Sequence, residues 1–290
     1  MKRLLIMGAS GFLGWNLCKE ASGKFEVMGS YFKNSLEIDG VRTLKLDITD
    51  MSSVEKRLKE LSPYAVINTV ALASAGYCEK HREKSEKINK IAPVKLAELC
   101  SKQDITYLFT STDLVFDGQN APYSEMHESS PISIYGTHKA EAEELILKVN
   151  TKAKICRMPL MFGLPSPVSG TFIQDIIEKN KRGEKCNLFT DEYRTPIGGK
   201  SAAKGLLKAL NFPGGIYNMG GKKIVSRYDF GIILSKIYNL DKNLIIPSLQ
   251  KEIKTLPARP KDVSLNSSKA FTLGYSPLSI NKELEEIKNG

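Results

Sequence analysis

Three glycines at three-residue spacing, in Gly8-Ala9-Ser10-Gly11-Phe12-Leu13-Gly14, follow directly on the apolar run Leu4-Leu5-Ile6-Met7 and open a helical pattern. Such a loop turns tightly out of a strand, lets its backbone approach a pyrophosphate and packs the following helix closely on a sheet. The helix N-terminus then supplies unpaired N–H groups and the positive end of a dipole. Alone the pattern is weak, because tight turns use glycine anyway. Its place on the first strand of an alternating chain makes it a phosphate loop, with Gly8, Ser10, Gly11, Phe12, Leu13 and Gly14 as predicted contacts.

The alternation is regular. After Arg3 to Met7 come aliphatic runs at Phe25 to Tyr31, Thr43 to Leu46, Ala65 to Thr69 and Thr106 to Thr110. Amphipathic stretches separate them from Phe12, at Ser52 to Leu61, at about Glu83 to Ser101 and at Tyr135 to Lys148. This predicts an α/β fold, a doubly wound parallel sheet of the Rossmann type, over residues 1–158. From 159 the texture changes, with Pro159, Gly163, Pro165, Pro167 and Gly170 crowded together. Residues 159–290 therefore read as a loop-rich crossing into a smaller mixed α/β lobe for substrate, with some segments returning to the first domain. Helices are expected near Phe172 to Lys181, Ala202 to Leu210 and Arg227 to Tyr238, and a strand at Ile216 to Asn218.

Composition narrows the function. The best apolar stretch, Ala65 to Gly76, is broken by Asn68, Thr69 and Ser74, so no membrane span is expected. Five scattered cysteines in no CxxC pair, with three histidines, argue against a disulfide framework and a metal site, and the chain reads as cytoplasmic. The formal charge of +10 comes from Lys and Arg spread along the chain, which describes a solvated surface better than a nucleic-acid face. A phosphorylated small molecule is the better anionic partner, and a homodimer is a candidate assembly.

A cofactor with a free ribose 2′-OH usually meets a carboxylate at the end of the second strand. Here that strand ends Gly29-Ser30-Tyr31-Phe32-Lys33, with none. Lys33, or Arg42, can meet a 2′-phosphate instead, so the reading favours NADP (as NADPH) over NAD, beside Ser30. Asp47-Ile48 is placed to border the adenine, and Asn68, Thr69 and Val70 to Ala71 to follow the sugars and phosphates.

Tyr135-Gly136-Thr137-His138-Lys139 sets a phenol and an ammonium at i and i+4 on one helix face. An unperturbed phenol titrates near ~10, and the expectation is that Lys139, together with a nicotinium charge, lowers it. Thr110-Ser111-Thr112-Asp113 ends the fifth strand, where open α/β sheets hold their ligands.

Glycine loop, strand-end hydroxyls and YxxxK in this order resemble an extended short-chain dehydrogenase/reductase. Within that superfamily, the segments Ser111 to Gly118 (STDLVFDG), YGTHK, Ile88-Asn89, Arg194-Thr195-Pro196 and Arg259 to Leu265 are similar to the dTDP-4-dehydrorhamnose reductase family. The resemblance implies a triad of Thr112, Tyr135 and Lys139, with Asn89 supporting the lysine or local backbone. It implies that NADPH reduces the C4 carbonyl of a nucleotide-linked keto sugar, with Tyr135 protonating the oxygen, Thr112 placing the carbonyl and Lys139 also holding the nicotinamide ribose. Asp113, Arg194 and Arg259 become candidates for substrate, the arginines for its diphosphate, although each could equally be held in an ion pair. Arg157 to Gly163 lacks the tryptophan many members place there, and no carboxylate set surrounds Trp15 for a bridging metal.

Two rivals share the scaffold. A 4,6-dehydratase is disfavoured because Leu114 stands where similar enzymes carry a second carboxylate, whereas a nucleotide-sugar epimerase is harder to exclude. The other rival is a non-catalytic NADP-binding subunit resembling the regulatory subunit of methionine adenosyltransferase, which has an Arg-x-Pro segment like Arg157-Met158-Pro159.

Overall fold

A computed structural model describes residues 1–252 and 259–289. The first six strands are β1 (Arg3–Met7), β2 (Glu26–Tyr31), β3 (Val41–Lys45), β4 (Ala65–Asn68), β5 (Thr106–Thr112) and β6 (Lys154–Met158). A later strand, Gly215–Asn218, joins them in one seven-stranded sheet of order Gly215–Asn218, β6, β5, β4, β1, β2, β3. Every pairing in it is parallel. The chain winds outward in both directions from the β1–β4 boundary, which opens a crevice at the carboxyl ends of those strands. Register places Met7 level with both Ser30 and Asn68, so the glycine loop, the end of β2 and the end of β4 emerge together.

Both faces of this sheet are covered, which is why its strands read as continuous apolar runs. Leu4 and Ile6 point into one layer, with Leu17 and Ala21 of α1 (Phe12–Ala21) and Leu206 of the helix Gly199–Ala209. Leu5 and Met7 point into the other, with Val54 and Leu58 of α2 (Met51–Leu61), Leu96 of the helix Ala92–Lys102 and Ile146 of the helix Ile134–Val149. Asp50 caps α2 by accepting from the Ser53 amide at 3.1 Å.

The single helix expected from about Glu83 to Ser101 is not uniform. It runs as α-helix over Arg82–Glu86, widens to one π turn over Lys87–Ile91, and resumes as α-helix at Ala92–Lys102. Pro93 has no N–H for the carbonyl of Asn89, four residues earlier, so the ladder cannot continue unchanged.

Beyond residue 158 the helices Phe172–Lys181, Arg227–Tyr238 and Ile280–Asn289 enclose a separate core containing Phe162, Ile173, Leu188, Phe230, Leu234 and Leu284. Its strands are short pairs: Cys186–Phe189 with Ile245–Ser248, Tyr193–Arg194 with Val225–Ser226, and Met161–Phe162 with Ile197–Gly198. Among the described residues no helix is long and apolar enough to cross a membrane.

Candidate active site

The three glycines of the loop do different work. Gly8 has φ +88°, and a Cβ there would stand 2.9 Å from Thr69 Oγ1; at Gly14 it would stand 2.1 Å from the Gly8 carbonyl oxygen. Both positions are closed by the fold itself. Gly11 is ordinary in backbone, with φ −76°, and a Cβ there would meet only the Gly8 carbonyl, at 3.5 Å. The loop is tied to β2 by the Gly8 and Ala9 amides, which donate to the Ser30 carbonyl at 3.2 and 2.7 Å. Gly11 is the N-cap of α1 and no side chain caps it, so the first-turn amides keep their donors for a ligand.

These amides open onto a cleft of about 580 Å³ that gathers Gly8, Ser10, Gly11, Ser30, Lys33, Asp47, Ile48, Thr69 and Val70. Asn68 lies beneath it, fully buried: its Oδ1 accepts from the Val70 amide at 3.0 Å and its Nδ2 donates to Tyr107 at 3.2 Å, shaping the loop that faces the cleft. The Phe12 side chain turns away onto Gly163 and Gly199, and Leu13 is in the core. Arg42 sits near the start of β3, at the far end of the sheet, 3.8 Å from Glu26. Lys33 is thus in the cleft and Arg42 is not.

The far wall was not foreseen. It is the helical segment of Arg82–Glu86 and the π turn Lys87–Ile91, which contributes Lys84, Lys87 and Ile88. Their i, i+3, i+4 spacing puts them on one face, a pattern that sequence can show but that composition alone hides among many lysines. The wall residues suit an anionic dinucleotide: three lysines face one carboxylate, Asp47, whose Oδ1 already accepts from the Thr49 amide and hydroxyl at 2.8 Å.

The reaction centre lies at the end of β5. Ser133 caps the helix Ile134–Val149 by accepting from the Gly136 amide at 3.2 Å, which sets Tyr135 in the first turn and Lys139 one turn on. A Cβ on Gly136 would fall 2.2 Å from the Leu114 carbonyl oxygen, so this glycine lets the helix dock tightly against the residues after β5. Tyr135 and Thr112 are both buried, and the Thr112 hydroxyl donates to Asp113 Oδ1 at 3.2 Å. Thr112 Oγ1 also accepts from the Leu114 amide at 3.2 Å. Lys139 is 1% exposed; its Nζ donates to the Thr110 carbonyl at 2.6 Å and lies 3.8 Å from the centre of the Phe109 ring.

Protonation here departs from the expectation. Burial, then the nearby Asp113 carboxylate, push the Tyr135 phenol well above its ordinary range, while the Thr112 hydrogen bond pulls it back in part. Burial lowers Lys139 to about 7 against the opposing pull of Glu143. A lysine so desolvated, bonded to a carbonyl, does not bring the phenol down. In this structure burial favours the protonated phenol of Tyr135.

Asn89, inside the π turn, grips local backbone rather than Lys139: it accepts from the Leu72 amide at 2.9 Å and donates to the Leu72 carbonyl at 3.1 Å. It also donates to Ser85 Oγ at 3.0 Å, and Ser85 Oγ lies 2.9 Å from His138 Nδ1, linking the β4 segment to the tyrosine helix.

Asp113 begins a buried charge cluster that reaches into the second lobe. Arg194 Nε is 3.5 Å from Asp113, and its Nη2 is 3.5 Å from Glu192. Arg259 reaches Glu192 at 3.1 Å, and Arg227, not anticipated from sequence, at 4.0 Å. Both predicted arginines are therefore in ion pairs, yet three guanidiniums share two carboxylates and the cluster stays cationic. Burial raises Asp113 to about 6 even beside Arg194. Arg157, by contrast, is enclosed by Glu143 at 2.6 Å, so the Arg157-Met158-Pro159 segment is internal.

The chain matches the profile described as RmlD substrate binding domain over residues 1–289. It belongs to that family. It is 29% identical to a probable low-salt glycan biosynthesis reductase of Haloferax volcanii, over 98% of this chain and 96% of the relative. It is 26% identical to methionine adenosyltransferase 2 subunit beta of Danio rerio, over 95% and 86%. The dTDP-4-dehydrorhamnose reductase of Bacillus anthracis, solved in complex with NADP, superimposes with a TM-score of 0.88 at 25% identity, covering 100% of this chain and 99% of that one. The RmlD-family fold, an extended short-chain dehydrogenase/reductase with a Rossmann sheet, is thus established for this chain. Among the described residues no three His, Cys, Asp or Glu side chains gather as a metal site.

Proposed function

We propose that this protein is an NADPH-dependent reductase of a nucleotide-linked 4-keto sugar. The observation that carries this reading is the buried Tyr135 beside Thr112 at the carboxyl end of β5, the same end of the sheet as the glycine loop, with burial favouring the protonated phenol. When bound, NADPH would supply the hydride. Tyr135 donates its proton to the sugar oxygen as charge develops there, and Thr112 holds that oxygen in line. Lys139, anchored on Thr110, fixes the strand end and would hold the nicotinamide ribose when the cofactor is bound. The arginine-rich cluster beyond Asp113 offers its surplus positive charge to the diphosphate of the substrate. Five free and buried cysteines suit work in the cytoplasm, singly or as a homodimer.

Leu114 in place of a carboxylate sets the reading apart from dehydration, and the absence of an acid at the end of β2 sets it apart from an epimerase that retains NAD. A second reading, a non-catalytic NADP-binding subunit, is supported by the 26% identity with the Danio rerio beta subunit. Incubation of the purified protein with dTDP-4-keto sugars and NADPH separates the two. Oxidation of NADPH that disappears in Tyr135→Phe supports the reductase. Cofactor binding without turnover, with a second enzyme co-purifying, supports the subunit.

A further inference from the structure

We propose that the 2′-phosphate of the cofactor is read from two sides of the cleft, with Lys87 and Lys84 of the helical wall acting opposite Lys33 at the end of β2. The proposal rests on the cofactor reading above and extends it to residues that neither the glycine loop nor the strand-end rule identifies.

Lysines on this protein's helices are commonly neutralised one turn away, as Lys59 is by Glu55 at 2.7 Å, Lys102 by Glu98 at 2.6 Å and Lys148 by Glu144 at 2.5 Å. On the helical wall itself Lys90 is taken by Glu86 at 2.6 Å and by Glu141 at 2.9 Å. Among the described residues, none of the three lysines that line the cleft lies within 4 Å of a carboxylate. Lys84 Nζ donates instead to the neutral Tyr77 hydroxyl at 3.2 Å. The acids on their own segment are committed elsewhere or face outward, Glu86 to Lys90 and Glu83 exposed. The carboxylate of Asp47 on the opposite wall is held by Thr49.

The walls also divide the labour of recognition. Asp47 and Ile48 on one side and Ile88 on the other give an apolar and polar slot of a kind that takes an adenine, and Ser30 closes its base. A ribose between them would carry its 2′-phosphate toward the mouth, where Lys33, Lys84 and Lys87 are all exposed. Flexible ammonium groups on separate elements act as point charges, not as a bidentate clamp, so each adds a modest and salt-sensitive share. The preference for a phosphorylated cofactor is then distributed, and survives loss of Lys33 alone.

The test uses 2′,5′-ADP as probe, with ADP as its control, titrated calorimetrically against wild type, K33A, the double variant K84A/K87A and the triple variant. Wild type is expected to bind 2′,5′-ADP about tenfold or more tighter than ADP, as a charge-assisted contact implies. The double variant should cut that ratio about threefold or more, the triple variant should abolish it, and ADP affinity should stay within about twofold throughout. The charge reversal K87E, which changes an exposed side chain, should lower the ratio further than K87A. A ratio unchanged in K84A/K87A and lost in K33A overturns the two-sided reading and leaves the cofactor reading intact. Failure of wild type to bind either nucleotide overturns both.

Discussion

The two halves of the site treat charge in opposite ways. In the cofactor cleft three exposed lysines without ion partners face a single carboxylate, Asp47, open to solvent. At the reaction centre Tyr135, Lys139 and Asp113 are buried, each is held by a neighbour, and each titrates far from its ordinary value. Solvent screening makes the first half a reader of ligand charge with small, additive contributions. Desolvation makes the second a place where burial, and not solvent, sets the protonation of each group. Binding and chemistry should therefore respond to different perturbations, and experiments can try to break that separation.

The largest effect should come from Tyr135→Phe, which is expected to lower turnover by ~10²-fold or more while cofactor affinity stays nearly unchanged. Single-turnover rates and cofactor titration check it, and near-wild-type turnover removes Tyr135 as the acid. Lys139→Met is expected to lower rate and cofactor affinity together, by about tenfold in rate, since the lysine anchors the strand end.

The same variant sharpens the contrast through pH. Lys139 titrates near 7 in the folded chain, against about 10.4 when unfolded. Between those values the unfolded chain binds more protons, so stability rises with pH; below them both states carry the charge and the folded one bears the full cost of burial. Lys139→Met should thus raise the melting temperature more at about pH 6 than at about pH 9. Equal shifts at the two pH values would mean that the lysine is solvated.

A smaller effect separates the glycines. Gly8→Ala, at φ +88° and against Thr69, should destabilise the fold. Gly11→Ala should leave the melting temperature within about a degree or two and weaken cofactor binding about tenfold, because its methyl points where the phosphates approach. The smallest is electrostatic: raising salt from about 0.05 to about 0.5 M should narrow the NADPH-over-NADH preference severalfold and leave the single-turnover rate of the loaded enzyme unchanged.

What sequence could show follows from the range of the physics. The glycine loop, YGTHK and the strands of the sheet are local patterns, and the helices Phe172–Lys181 and Arg227–Tyr238 begin and end where their periodicity says. The π turn was hidden because Pro93 breaks a hydrogen bond without breaking the apolar period on either side. Glu192 and Arg227 were hidden because their pairing joins residues far apart along the chain, and nothing local distinguishes a buried arginine from an exposed one. Spacing likewise places Tyr135 and Lys139 on one helix face but does not reveal that burial raises the phenol and lowers the ammonium.

The strand Gly215–Asn218 has a consequence for how the molecule is made. It covers the edge of β6, and the helix Gly199–Ala209 just before it covers α1, so the sheet that holds the cofactor is finished by residues translated well after its first six strands. A ribosome that has released only the first 158 residues exposes an unpaired strand edge and a bare apolar helix face, both invitations to aggregation. The nucleotide-binding half should not be obtainable as a soluble fragment by stopping there, and nascent chains should lean on chaperones until the seventh strand emerges.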